Sequence, residues 1–227
     1  MAKRLVRGKG GLRMISVDGH GSIFDLAEPS WDEDSKHPSC SNPDCAAQFN
    51  VLHRRHHCRV CGKVFCGNCC DHKQPVLRMG LVDPVRLCQH CESEVKKDNI
   101  FCSKHLKVLT TGAKFTLAEV IGVEFVCRLS DDHSEILFGG ASVDSRDPIN
   151  LKGIIEVINI ENEQLPTQER GSFSSEVCGL VLVYRPPHSK EEVSIQLKIV
   201  EQEDKAKHGK EWLLALKKAL TILHRKK

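Results

Sequence analysis

Four cysteine pairs, Cys40/Cys45, Cys58/Cys61, Cys66/Cys69 and Cys88/Cys91, constrain this chain more than any other feature. Three are CxxC pairs, a spacing that lets two thiolates reach one tetrahedral Zn2+. The first pair is wider (Cys-Ser-Asn-Pro-Asp-Cys) and still within the range used by zinc ligands. Eight thiolates make two four-cysteine sites, closed and structural, with no position left for a catalytic water. Only four residues separate Cys61 from Cys66, which crowds a sequential second site and favours interleaved pairs; spacing alone leaves both pairings open. The N-terminus, MAKRLVRGKGGLRM, lacks the apolar core of a secretory signal. No apolar run approaches the ~18 residues that span a bilayer. The expectation is therefore a reducing, cytoplasmic setting, where clustered cysteines favour zinc over disulfides. Cys70, Cys102, Cys127 and Cys178 read as buried packing thiols.

Between the first two pairs lies His53-Arg54-Arg55-His56-His57-Cys58-Arg59. Cationic side chains beside a metal ligand imply a positive pocket held rigid by the metal, and arginine forks suit a phosphate better than lysine point charges do. Over the 227 residues the net charge is +3, distributed unevenly. Residues 1–29 carry five Lys/Arg against three Asp/Glu, residues 30–100 ten against nine, and residues 101–227 eighteen against eighteen. A nucleic-acid groove needs a broader basic excess, so no nucleic-acid partner is expected. No GxSxG, Walker or HExxH pattern is present, and no catalytic residue is assigned.

Trp31-Asp32-Glu33-Asp34 (WxxD), then RRHHCR at positions 54–59, then Arg86-Leu87-Cys88 together resemble the FYVE zinc-finger family. The likeness covers residues 30–92 and departs from the family pattern at the widened first pair and at Leu87. It implies an interleaved fold with two Zn2+, one on Cys40, Cys45, Cys66 and Cys69, the other on Cys58, Cys61, Cys88 and Cys91. It also implies binding of phosphatidylinositol 3-phosphate on early endosome membranes. By resemblance Arg55, Arg59 and Arg86, with a histidine (His56 or His57), surround the 3-phosphate, and Arg54 meets the phosphodiester. Asp34 would accept hydrogen bonds from the 4- and 5-hydroxyls and repel a phosphate placed there. Strand alternation alone puts Arg55, His57 and Arg59 on one face and Arg54, His56 and Cys58 on the other. One pocket for all of them needs a twist, a bulge or an open strand edge. Trp31 reads as a packing anchor. Val51 and Leu52, just before the basic stretch, are expected to enter the bilayer, at ~1.5–3 kcal/mol each if fully buried. A phosphate dianion favours protonated His56 and His57, so tighter binding is expected at mildly acidic pH.

From Cys91 the sequence Cys91, Val95, Cys102, Leu106 has helical spacing. Beyond it, strand-like runs at 113–120, 124–129, 135–138, 154–160, 177–184 and 193–200 alternate with turns. Residues 205–227 then form an amphipathic helix with Trp212, Ala215, Leu216, Ala219, Leu220 and Leu223 on one face. About seven strands capped by a helix that carries a tryptophan resemble the pleckstrin-homology (PH) fold. The lipid-binding type of that fold pairs an early lysine with a basic-x-Arg motif. Here Lys114 precedes only Cys127-Arg128-Leu129, so a protein contact is favoured over a second lipid.

The expected organisation is a basic, partly disordered N-terminal arm (1–29), a FYVE zinc finger with its closing helix (30–103) and a PH-like domain (104–227). In fold class this is a small two-zinc finger of short β-hairpins plus a helix, followed by a mainly-β PH-like domain with a C-terminal α-helix. The arm would add attraction to an anionic membrane at ~1 kcal/mol per nearby basic residue. KRLVRGKGGLRM before the finger and LVDPVRLC inside it resemble one short two-domain member of the family. That likeness implies a non-enzymatic endosomal adaptor linked to cell adhesion and migration, with a protein partner drawn from adhesion or endosomal signalling and focal adhesions as a second location. The competing reading is a RING-like ubiquitin ligase or a zinc scaffold that binds proteins. A RING typically places a histidine among its middle ligands, whereas the middle ligands here are all cysteine.

Overall fold

Short strands interrupted by cysteine loops give way along the chain to long alternating strands, and the chain divides accordingly into units Met1–Ser103 and Lys104–Lys227. The computed structural model describes residues 3–17, 19, 21–45, 47–140, 146–162 and 176–225. Among them, no helix is long and apolar enough to cross a membrane.

The first unit holds β1 (Lys3–Gly8), β2 (Gly11–Ser16), β3 (His56–His57), β4 (Val64–Phe65), β5 (His72–Val76), β6 (Leu81–Leu87) and α1 (Gln89–Ile100). Four strands form one sheet in the order β1-β2-β6-β5, while β3 and β4 make a separate ribbon. Residues 3–16 of the segment expected to be a partly disordered arm (1–29) form a paired hairpin, in register from Lys3↔Ser16 to Gly8↔Gly11. Glycine density argues against a helix, and here it supplies the turn between two strand-length runs. Docking on β6 fixes the hairpin. Arg13 pairs with Leu81, the Met14 N–H donates to Gly80 O at 2.7 Å, and Arg13 Nε donates to Met79 O at 2.9 Å. Gly80 sits at φ 69°, and a Cβ there would lie 2.3 Å from Met14 O, so no side chain is tolerated at this junction.

The core of this unit is small and built largely from sulfur: Cys40, Cys58, Cys66, Cys70, Cys88 and Cys91 with Phe65, Val76, Met79, Leu81, Leu87 and Val95. Phe24 packs edge-on against Phe101 at 4.9 Å, and a buried Arg78–Asp98 pair (2.8 Å) ties the turn before β6 to α1. Arg78 Nε also donates to Phe24 O. The helix expected from the Cys91/Val95 spacing is α1, which buries both residues. Helical structure then widens into a π-helical segment, Phe101–His105, where the unit boundary falls.

The second unit contains α2 (Leu106–Thr111), β7 (Ala113–Leu117), β8 (Val120–Leu129), β9 (Glu135–Gly139), β10 (Ile149–Asn150), β11 (Ile154–Asn162), β12 (Glu176–Tyr184), β13 (Val193–Ile199) and α3 (Glu203–His224). The seven strands form one antiparallel sheet, β10-β9-β8-β7-β13-β12-β11. Alternation buries Phe115 and Leu117, Leu180 and Leu182, and Ile195 and Leu197 beneath the helix. Trp212 of α3 is fully buried, edge-on to Phe115 at 5.3 Å, and its indole N–H donates to Leu109 O at 3.3 Å. A buried indole needs such a partner for its N–H. This is a mainly-β unit with a C-terminal helix, the secondary-structure class expected from the sequence. Two details differ from the sequence reading. The run 113–120 is broken by a tight turn at Ala118-Glu119, which carries none of the usual turn residues, and β10 is too short to register as a periodic run.

Candidate metal centres and headgroup site

Two sets of four thiols converge, Cys40, Cys45, Cys66 and Cys69 in one and Cys58, Cys61, Cys88 and Cys91 in the other. Within each set all sulfurs lie within 4.8 Å of one another, and Cys45 Sγ is 3.7 Å from Cys66 Sγ. Tetrahedral zinc with Zn–S bonds of ~2.3 Å places its sulfurs about 3.8 Å apart, so both sets fit the ion. The donors are soft thiols, and the structure supplies outer hydrogen bonds to them. The Cys66 N–H points at Cys40 Sγ (3.3 Å), and Asn42 Nδ2 donates to Cys69 Sγ (3.2 Å). The pairing is interleaved because β3 and β4 fold back on each other, carrying Cys66 away from Cys58 and Cys61. The finger is thus a two-zinc fold. Cys70 is fully buried beside these ligands, as expected of a packing thiol.

Around the second cluster the knuckle turns on Gly62, at φ 75°, whose N–H donates to Cys58 O. A Cβ on Gly62 would lie 2.0 Å from Ser30 O, and the Asp32 N–H donates to Gly62 O at 3.1 Å. Close backbone approach at this glycine is what docks the WxxD segment on the knuckle. His57 Nε2 lies 2.9 Å from Asp32 O and 3.7 Å from Asp34 Oδ1. Trp31 meets the His57 ring edge-on at 5.6 Å, and the Arg59 guanidinium stacks on the same indole at 5.3 Å. Trp31 therefore holds Arg59 and His57 in place, the anchor role expected of it.

β3 is only two residues long, so strand alternation does not govern the flanking arginines. Arg86 arrives from β6, where its O accepts from the Arg59 N–H at 3.0 Å and its Nη1 donates to Cys70 O at 2.6 Å. Arg59 Nη1 donates to His57 O at 2.7 Å. Arg54 is exposed. Burial first, then the charges of Arg86, Arg54 and Arg59, hold the His56 imidazole below its ordinary pKa. The Arg59–Arg86 backbone hydrogen bond brings two of these cations together beside His57. Arg55 has different partners: its Nε donates to His37 O at 3.1 Å, and its guanidinium stacks on Phe49 at 5.0 Å. Among the described residues none of Arg54, Arg55, Arg59 and Arg86 meets a carboxylate, whereas Arg13, Arg78, Lys96 and Lys97 in the same unit are all paired.

Val51 and Leu52 are 88% and 86% exposed, outside the core. Their loop is not slack, for Asn50 Oδ1 accepts from the N–H groups of both Leu52 and His53 at 2.9 Å. The sequence reading missed Lys9, at the tip of the β1–β2 hairpin, whose ammonium lies 5.1 Å over the Trp31 ring. The signal was present: GKGG between two strand-length runs is a hairpin turn.

Two family models match the chain: "Zinc finger FYVE domain-containing protein 21 C-terminus" over residues 100–227 and "FYVE zinc finger" over residues 30–97. Among curated relatives, Vacuolar protein sorting-associated protein 27 of Debaryomyces hansenii is 38% identical over 80 residues, 35% of this chain and 10% of that protein. The chain thus spans about a tenth of the length of that relative. Among solved structures, the LM5-1 FYVE domain from Leishmania major is 35% identical, covering 31% of this chain and 82% of its own at a TM-score of 0.28. The PH domain from TgAPH covers 59% of this chain and 98% of its own, at 11% identity and a TM-score of 0.36.

Proposed function

From a chain that belongs to the family of the zinc finger FYVE domain-containing protein 21 C-terminus, with a FYVE zinc finger ahead of that region, we propose a membrane-recruitment adaptor that binds phosphatidylinositol 3-phosphate at the surface of early endosomes. The observation that carries the proposal is that Arg59 and Arg86, joined by a backbone hydrogen bond beside His57, and the neighbouring Arg54 and Arg55 meet no carboxylate among the described residues, on a framework that two zinc ions make rigid. Unpaired guanidinium groups at that density call for an anion, and their forks suit a phosphomonoester. Arg54, Arg55, Arg59 and Arg86 supply the charge and His56 and His57 further donors. Asp34, beside His57, selects against extra phosphates on the inositol ring. Cys40, Cys45, Cys66 and Cys69 hold one zinc and Cys58, Cys61, Cys88 and Cys91 the other. Val51 and Leu52, presented by Asn50, enter the bilayer beside the bound headgroup. The site binds and performs no reaction: all eight thiols are used as ligands, leaving no open metal position.

Sedimentation of the zinc-loaded full chain with vesicles carrying single phosphoinositides tests this. Retention is expected on 3-phosphate vesicles, with loss of about tenfold or more for Arg59→Ala and Arg86→Ala, since each removes a charge-assisted contact of ~1.5–3 kcal/mol. Binding that ignores both substitutions, or that is equal on every phosphoinositide, would remove the assignment. The RING-like alternative predicts ubiquitin transfer instead and gives the unpaired arginines no task.

The PH-like unit is assigned a protein partner, of the adhesion or endosomal signalling class expected from the sequence. Its early-strand cations support this because they are already engaged. Lys114 Nζ lies 3.3 Å from Glu124, which also takes Lys205 at 2.8 Å, and Arg128 donates to Leu129 O. A second headgroup would have to displace these contacts. Removal of residues 104–227 that left cellular targeting and partner capture unchanged would sink this part.

A further inference from the structure

The N-terminal hairpin brings one more cation to the headgroup site. We propose that the β1–β2 hairpin forms a wall of that pocket and that Lys9, at its tip, binds the phosphoinositide headgroup together with Arg59, on the shared platform of Trp31. The inference rests on the phosphoinositide reading of the site. Lys9 Nζ stands 5.1 Å and the Arg59 guanidinium 5.3 Å from the same indole centroid, so both cations border one ring.

The tip that carries Lys9 is built rather than trailing. The Gly10 N–H donates to Glu28 Oε1 at 3.0 Å, Gly10 is buried, and β2 is held to β6 through Arg13↔Leu81 and the Met14–Gly80 hydrogen bond. Glu28 is also 3.7 Å from Arg13, so the nearby carboxylate is taken up by Arg13 and the Gly10 N–H, and Lys9 meets no carboxylate among the described residues. A lysine over a half-buried ring gains ~0.5–1 kcal/mol, which leaves most of its charge unmet. A headgroup carries several anionic and hydroxyl oxygens, so one ligand at the Trp31 platform would meet Lys9 and Arg59 through different groups. The arrangement also reassigns the basic N-terminus, from a diffuse attraction for anionic membranes to a defined contact at one residue.

Calorimetric titration of the zinc-loaded full chain with short-chain, soluble phosphatidylinositol 3-phosphate separates the two roles, because no membrane surface is present. Lys9→Ala should weaken binding about three- to tenfold, the range of a single partly exposed charge-assisted contact. Lys9→Arg should stay within about twofold, since charge and reach are kept. Arg4→Ala, on β1 away from the tip, should leave the soluble headgroup affinity unchanged. If Lys9→Ala binds like the wild type while Arg59→Ala does not, the hairpin wall is overturned and the phosphoinositide site stands. If Lys9→Ala weakens binding only to phosphatidylserine vesicles and not to the soluble lipid, Lys9 is a general membrane cation and the proposal likewise falls. If Arg59→Ala also binds normally, the site reading itself has failed and takes this inference with it.

Discussion

At the centre of the finger stand Cys58, Cys66 and Cys88 with Val76, Leu81 and Leu87, whereas the centre of the C-terminal unit is Phe115, Leu180, Leu197 and Trp212. Cysteine occurs in both and means different things. In the finger the thiols meet in fours, within bonding reach of a shared cation. In the C-terminal unit Cys127 stands fully buried with no ligand set among the described residues, and burial pushes its thiol up to about 12. The first arrangement depends on a metal to hold four donors together; the second depends on apolar area removed from water. One unit should fail when its metal is taken, the other when its core is cut.

The sharpest break between the two comes from chelation. Structural zinc contributes ~10–16 kcal/mol of apparent folding free energy in isolated fingers, so stripping it should unfold the first unit and leave the second intact. The chain has two tryptophans, Trp31 in the finger and Trp212 in the other unit, so single-tryptophan variants report each separately. Trp31 emission should change on chelation while Trp212 emission stays blue-shifted. A simultaneous loss of both would show that the units share one cooperative fold.

The converse cut is Trp212→Ala. It should cost the second unit about 3–5 kcal/mol, the range for truncating a large buried aromatic, while zinc content holds at two per chain and soluble headgroup affinity is unchanged. A loss of zinc in that variant would break the comparison from the other side.

A smaller effect dissects the finger itself. Val51→Asp with Leu52→Asp should reduce vesicle binding by about tenfold to a hundredfold, since partial insertion forfeits part of the ~1.5–3 kcal/mol each residue offers. Affinity for soluble headgroup should not move, because neither side chain belongs to the core. An equal loss in both assays would place the loop in the pocket and not in the bilayer.

The smallest expected effect is a pH dependence confined to the second unit. His105 is buried, with Nε2 at 3.0 Å from Lys218 Nζ, and burial, then Lys218 and Lys104, lowers its pKa below the ordinary 6.5. The unfolded chain therefore takes up this proton at higher pH than the folded one does. The contribution is complete above pH ~6.5 and is lost as pH falls through the folded value. Thermal unfolding should show the second unit weakening between neutrality and pH 5, less so in His105→Gln. An unchanged pH slope in that variant would assign the effect elsewhere.

Much of this was legible in the chain because the informative chemistry is local. CxxC spacing, the run RRHHCR and the helix around Trp212 are each readable within a few residues, since thiolate reach and helical periodicity act over that distance. The hairpin was not read as a hairpin because its glycines were weighed against a helix, and what holds it, Arg13 on Leu81 and Met14 on Gly80, joins segments far apart in sequence. The turn at Ala118-Glu119 was missed because neither residue is a turn former and strand pairing overrode preference.

By itself the sequence determined the donor set, eight thiols in four pairs, and the arginines and histidines around Cys58. These follow from residue type at fixed spacing. Only the tertiary structure decided which pairs share a centre, that Arg86 arrives on β6 behind Arg59, and that Lys9 borders the same indole ring. Those outcomes depend on strand register and on close backbone approach at Gly62 and Gly80. Such contacts join distant parts of the chain and are specified by how surfaces fit, which no local pattern encodes.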